Sequence, residues 1–110
     1  MVTEEDRKFL GQFQSYQQQL QTIMIQKENL KLQIMEIEKA VEELEASKEK
    51  EAYKISGPIM VKKNSTDLKN ELKEKKDSFD LRIKTLEKAE ERITTKLKEM
   101  EPKLREMIKE

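Results

Sequence analysis

Cysteine and histidine are both absent from this chain of 110 residues, and glycine and proline occur only twice each. Without cysteine there is no disulfide framework, without cysteine and histidine together two common sources of zinc ligands are missing, and without histidine the usual carrier of protons at neutral pH is missing too. No metal site, cofactor or nucleophilic enzyme chemistry is expected. With only Gly11 and Gly57 available, neither a Walker A loop nor a glycine-rich phosphate cradle can be written into the sequence. Net charge is missing too, because 23 basic and 23 acidic residues cancel, so no global field draws the chain toward nucleic acid or anionic lipid. No apolar run approaches membrane-spanning length, and the opening Met1 to Lys8 is too acidic for a signal peptide. The chain therefore reads as soluble and cytoplasmic, with no membrane and no nucleic acid among its partners.

What is present is charge and heptads. Charged residues make up 42% of the chain and aromatics 5%, the composition of a coiled coil. In the first half Phe9, Phe13, Tyr16, Leu20, Ile23, Lys27, Leu30, Ile34, Ile37, Val41 and Leu44 follow one another in alternating steps of four and three, with only Lys27 polar. In the second half Leu72, Phe79, Leu86, Ile93, Met100 and Met107 hold one heptad position, and Lys69, Lys76, Ile83, Glu90, Leu97 and Leu104 hold the other. A strict seven-residue repeat drifts about 20° per heptad on a straight helix, so a pattern this long commits to a left-handed supercoil. Such a stripe is too narrow for a three-dimensional core, and stability must come largely from length and assembly.

Thr3 followed by Asp6 resembles a capping box and opens a helical arm over about 3–48. Asn64 or Ser65, both good N-caps, opens a second over about 65–109. Each arm spans roughly 65 Å at 1.5 Å per residue, and equal arms favour an antiparallel pair. Glu71 before Lys75, Asp80 before Lys84, Glu99 before Lys103 and Glu101 before Arg105 stand in the favourable acid-first spacing of a solvated helix surface. Pro102 deletes one helical hydrogen bond, so a kink or fraying is expected in the residues after it. Between the arms, the connector over about 52–63 gathers Tyr53, Ile55, Ile59, Met60 and Val61 around Gly57-Pro58, which predicts a β-hairpin rather than a plain loop. Tyr53 with Ile55 and Ile59 with Val61 are expected on one side of that ribbon, and its edges are open.

The Gln-rich opening from Gly11 to Leu20 with Gln26-Lys27, and the connector Tyr53-Lys54-Ile55-Ser56-Gly57-Pro58-Ile59-Met60-Val61, resemble the β-type subunits of prefoldin, in their archaeal form. The resemblance covers nearly the whole chain, read as one domain over 1–110. It implies an all-α fold with a small β element: a long antiparallel two-helix coiled coil joined by a single β-hairpin that contributes to an intersubunit β-barrel. It also implies a hexamer of two alpha-type and four beta-type subunits, an ATP-independent holdase that captures unfolded polypeptides at the arm tips, and delivery to a group II chaperonin. Tyr53, Ile55, Ile59, Met60 and Val61 would then be the oligomerisation residues.

The candidate client site at the tip is Phe9, Leu10, Phe13, Leu104, Met107 and Ile108. Leu10 and Ile108 sit beside the seam, which leaves more apolar surface than two helices need for each other, and methionine repacks readily against varied partners. The alternative is that these residues only close the end of the coil, in which case the chain is a structural coiled-coil adaptor without client binding. Gly11 through Gln26 carry no charge, which suits contact with unfolded backbone but equally suits a plain helix surface. Lys62, Lys63, Lys69, Lys73, Lys75 and Lys76 suggest a basic patch, but Asp67, Glu71 and Glu74 interleave with them and no aromatic platform accompanies them. If the arms pair symmetrically about the connector, with Leu44 opposite Leu68, then Lys27 and Glu90 lie about one helical turn apart. They either pair and fix the register of the seam or reach separately to water.

Overall fold

The computed structural model describes residues 2–109, in the order α1 (Glu4–Ser47), β1 (Glu51–Ser56), β2 (Ile59–Asn64) and α2 (Ser65–Ile108). Both helices contain 44 residues. The capping box forms reciprocally: the Asp6 N–H donates to Thr3 Oγ1 at 3.1 Å and the Thr3 N–H donates to Asp6 Oδ2 at 3.2 Å. Glu4, Glu5 and Asp6 then place negative charge against the positive end of the helix dipole. At the other end of α1 the Ser47 hydroxyl donates to the Leu44 carbonyl at 3.1 Å, and Lys48 takes a φ of 56°. That left-handed residue ends the helix where glycine is usual, at a cost of about 1 kcal/mol in a residue with a side chain.

Of the two residues able to open the second helix, Asn64 is the cap. Its Oδ1 accepts from the N–H groups of Thr66 at 2.8 Å and Asp67 at 3.3 Å, an arrangement worth about 1 kcal/mol. Ser65 becomes the first helical residue, buried, with its N–H donating to the Lys50 carbonyl at 2.9 Å. Of the kink or fraying expected after Pro102, the fraying does not occur before Ile108: α2 continues in helical form through that residue, and the Lys109 N–H still donates to the Arg105 carbonyl at 3.0 Å. Pro102 is exposed and deletes a single bond, which the turns on either side tolerate.

The strands pair antiparallel, from Glu51 with Asn64 to Ser56 with Ile59. Gly57 and Pro58 form the two-residue turn, and Gly57 has a φ of 59°, the left-handed value that the first central residue of a type II′ turn requires. This turn length decides the faces and corrects the expectation of a one-sided apolar ribbon. Pairing Ser56 with Ile59 sets odd-numbered residues of β1 opposite even-numbered residues of β2, and directly opposed residues share a face. Tyr53, Ile55, Met60 and Lys62 therefore lie on one face, whereas Ala52, Lys54, Ile59, Val61 and Lys63 lie on the other.

The chain divides into two compact units, a chain-end unit of Met1–Glu28 with Lys84–Glu110 and a hairpin unit of Asn29–Ile83. In the chain-end unit Ile23 and Ile93 are buried, with Phe9, Phe13, Tyr16, Leu20, Leu86, Leu97, Met100, Leu104 and Met107 half-buried along the same stripe. In the hairpin unit Leu30, Ile34, Ile37 and Leu68 are buried, flanked by half-buried Val41, Leu44, Leu72, Phe79 and Ile83. The heptad positions are thus the covered positions in both units. The helices run antiparallel in each. Lys27 meets Glu90 and Phe9 meets Lys103 in the chain-end unit, while Glu38 meets Lys76 and Glu45 meets Lys73 in the hairpin unit. Among the described residues no side chain is completely buried, as a two-helix seam dictates.

Candidate functional site

Three groups of residues stand out, and each lies within a single unit. The first is the apolar cluster of the chain-end unit. Lys103 Nζ sits 4.8 Å above the centroid of the Phe9 ring, a cation–π contact that sets the last turns of α2 beside the first turns of α1. Phe9, Leu10, Phe13, Leu104 and Met107 are half-buried, whereas Ile108 is 74% exposed. Leu10 lies outside the heptad stripe and is only partly covered, and with exposed Ile108 it adds apolar surface beyond the seam.

The second group is the hairpin. Tyr53, Ile55, Ile59, Met60 and Val61 are all exposed, from 41% at Val61 to 73% at Ile55. The sheet has only two strands, so the outer backbone edge of each lacks a strand partner among the described residues. A lone ribbon of this kind is marginal in water. Its two faces differ. On the face of Lys54 and Lys63, both ammonium groups donate to the Glu71 carboxylate of α2, Lys54 to Oε1 and Lys63 to Oε2 at 2.7 Å. On the opposite face, Lys62 Nζ reaches Glu51 Oε2 at 2.8 Å, and Tyr53, Ile55 and Met60 meet no part of their own helices that would cover them.

Glu71 and its two lysines were not distinguished by sequence reasoning, which placed Glu71 in a helical pair with Lys75. A contact across elements leaves no periodic mark, and the only signal was a carboxylate soon after two strand lysines. Of the four acid-first pairs expected on α2, Glu101 with Arg105 lies within 4.0 Å, at 3.7 Å. The hydrogen bonds from Lys54 and Lys63, aided by their charges and opposed by partial desolvation, pull the Glu71 carboxyl from its ordinary 4.5 to about 2. Because the folded value is depressed, the stabilisation is fully present above 4.5 and is lost as pH falls toward 2. An NMR titration of the Glu71 side chain is expected to show its midpoint near 2; a midpoint near 4.5 would mean the lysines do not hold it.

Much of the basic run near the hairpin is neutralised locally. Besides Lys62 and Lys63, Lys73 reaches Glu45 at 3.9 Å and Lys76 reaches Glu38 at 3.5 Å, while Lys75 lies 5.8 Å from the Phe79 ring centroid.

The third group is the polar break in the seam of the chain-end unit. Lys27 Nζ donates to Glu90 at 3.1 Å and 3.3 Å and lies 3.8 Å from Glu87 Oε2. Its side chain is 13% exposed and that of Glu90 30%. An ion pair so placed returns little net stability, because desolvation offsets attraction, but removing one partner strands the other. A double-mutant cycle with Lys27→Leu and Glu90→Leu is expected to give a coupling of about 1 kcal/mol, with the double variant close to wild type. Coupling indistinguishable from zero would show that the two side chains act independently.

Residues 7–110 match the prefoldin subunit family. The chain is 38% identical to the prefoldin beta subunit of Thermococcus onnurineus over 91% of its own length and 87% of that protein. It is 37% identical to the prefoldin beta subunit of Pyrococcus abyssi, over 91% of this chain and 86% of that one. Its fold is similar to the crystal structure of the prefoldin beta subunit from Thermococcus strain KS-1, with a TM-score of 0.82 at 33% identity, covering 97% of this chain and 95% of that chain. Two long helices joined by one β-hairpin, a heptad seam along both and near-full-length similarity to archaeal beta subunits together place the chain in the prefoldin subunit family of chaperones.

Proposed function

We propose that the chain is the beta-type subunit of an ATP-independent holdase, which captures unfolded polypeptides on the apolar cluster of the chain-end unit and passes them to a group II chaperonin. The observation that supports this reading is apolar surface beyond what the seam needs, at exposed Ile108 and half-buried Leu10 beside Phe9, Phe13, Leu104 and Met107. Each such cluster is weak alone. Several copies acting together reach useful affinity through avidity, which removes the need for nucleotide-driven changes in binding. The hairpin supplies the copies: its open edges and exposed Tyr53, Ile55, Ile59, Met60 and Val61 suit pairing with other hairpins, in a hexamer of two alpha-type and four beta-type subunits. A chain without cysteine is indifferent to the redox state of its surroundings, and we place its action in the cytoplasm.

The test is to mix the chain with an archaeal prefoldin alpha subunit, measure the mass in solution and follow the aggregation of an unfolding model protein without nucleotide. A hexamer that suppresses aggregation supports the reading. An oligomer with no effect on aggregation would make the chain a structural adaptor instead.

A further inference from the structure

Both faces of the hairpin carry exposed apolar residues, Ile59 at 61% and Val61 at 41% on one, Tyr53, Ile55 and Met60 at 61% to 73% on the other, but one side chain of α2 is bonded to the first face alone. Ala52, Lys54, Ile59, Val61 and Lys63 share a face, and within it Lys54 and Lys63 are diagonal neighbours across the ladder, since Lys54 pairs with Val61. Their ammonium groups converge on Glu71, one on each carboxylate oxygen. A single contact would leave the ribbon free to roll about it, whereas two contacts from two strands to the two oxygens of one group fix a direction. The backbone adds a third tie at the base of the hairpin, where the Ser65 N–H donates to the Lys50 carbonyl at 2.9 Å. With these ties made, the base of the lysine face is held toward α2, although Ile59 and Val61 stay exposed nearer the turn, and the face of Tyr53, Ile55 and Met60 is the one directed away from Glu71.

We infer that Glu71 is the positioning residue for assembly: it fixes which face of the hairpin is offered to the strands of an alpha-type subunit, and that face is Tyr53, Ile55 and Met60. The inference rests on the reading of the hairpin as the assembly element. Without the carboxylate, two ammonium groups would lie unpaired on a face free to turn outward, and a partner would meet a mixture of orientations. The fraction of chains competent to assemble falls accordingly, although the strands and their apolar residues are unchanged.

The full-length chain and an archaeal prefoldin alpha subunit provide the test, with assembly followed by mass in solution over a range of concentrations. Glu71→Gln keeps the shape of the side chain and removes its charge; it is expected to weaken assembly by about tenfold while the helical circular-dichroism signal stays at the wild-type level. Lys54→Glu with Lys63→Glu sets three carboxylates together and is expected to weaken it further. Adding Glu71→Lys to that pair inverts the clamp and is expected to restore assembly to within about threefold of wild type, a rescue that loss of fold cannot mimic. Wild-type assembly by Glu71→Gln, or a triple variant no better than the double, overturns the inference. A parallel variant, Tyr53→Asp with Ile55→Asp, separates the two levels. If it assembles normally, the face of Tyr53, Ile55 and Met60 is not the one offered and the inference falls, and if Ile59→Asp with Val61→Asp also assembles normally the hairpin is not the assembly element; if it fails while Glu71→Gln assembles normally, only the role of Glu71 falls.

Discussion

Substituting Asp for both Tyr53 and Ile55 is expected to leave a chain that keeps its helices and does not enter the oligomer. Both residues lie on the face turned away from Glu71, and neither is covered within the chain. Burying them against another hairpin removes apolar surface from water; burying two carboxylates there instead costs several kcal/mol with no basic partner supplied. The helices hold because their seam is made of Leu30, Ile34, Ile37 and their neighbours, none of which the substitutions touch. Ile59→Asp with Val61→Asp is expected to be milder. Val61 lies opposite Lys54, and a carboxylate there finds two lysines, competing with Glu71 rather than standing unpaired. Mass in solution with the alpha-type subunit distinguishes the two pairs. Full-size complexes from both would remove the hairpin from the assembly account.

The second large effect is expected in client capture. Deleting the residues after Pro102, or replacing Phe9 and Leu10 by Ser, removes apolar surface worth about 1–2 kcal/mol at each copy, so that roughly tenfold more complex is needed for half-suppression of aggregation. Loss at every copy compounds, since avidity depends on each contact. The truncation also removes Lys103 from above the Phe9 ring. Assembly is expected to persist, because these residues belong to the unit that does not contain the hairpin. Unchanged suppression would move the client site elsewhere, and loss of the oligomer would make this cluster structural.

The seam was legible in the sequence because its cause is periodic: a repeat of seven on a helix puts Ile23, Leu30 and Ile37 on one line whatever surrounds them. The caps were legible because they are local, Thr3 with Asp6 and Asn64 with Thr66 and Asp67. The hairpin itself was announced by Gly57-Pro58 among β-branched residues, but not the allocation of its faces. That depends on a two-residue turn and shifts every side chain to the other face with a change of one residue. Glu71 shows the remaining limit. Nothing in its neighbourhood along the chain separates it from Glu74, and only the return of β2 into α2 brings Lys54 and Lys63 to it. The helical pairing with Lys75 was a sound local reading that a tertiary contact displaced.

The open outer edges of β1 and β2 bear on how the chain must be supplied. An unpaired strand edge is a template for any other strand, and it offers itself for as long as the subunit waits for its proper neighbours. If the chain assembles through its hairpin as proposed, a cell that makes it in excess of its partner holds adhesive monomers in proportion to the surplus. On that proposal, balanced synthesis of the two subunits becomes a condition of keeping the chain from seeding aggregation itself.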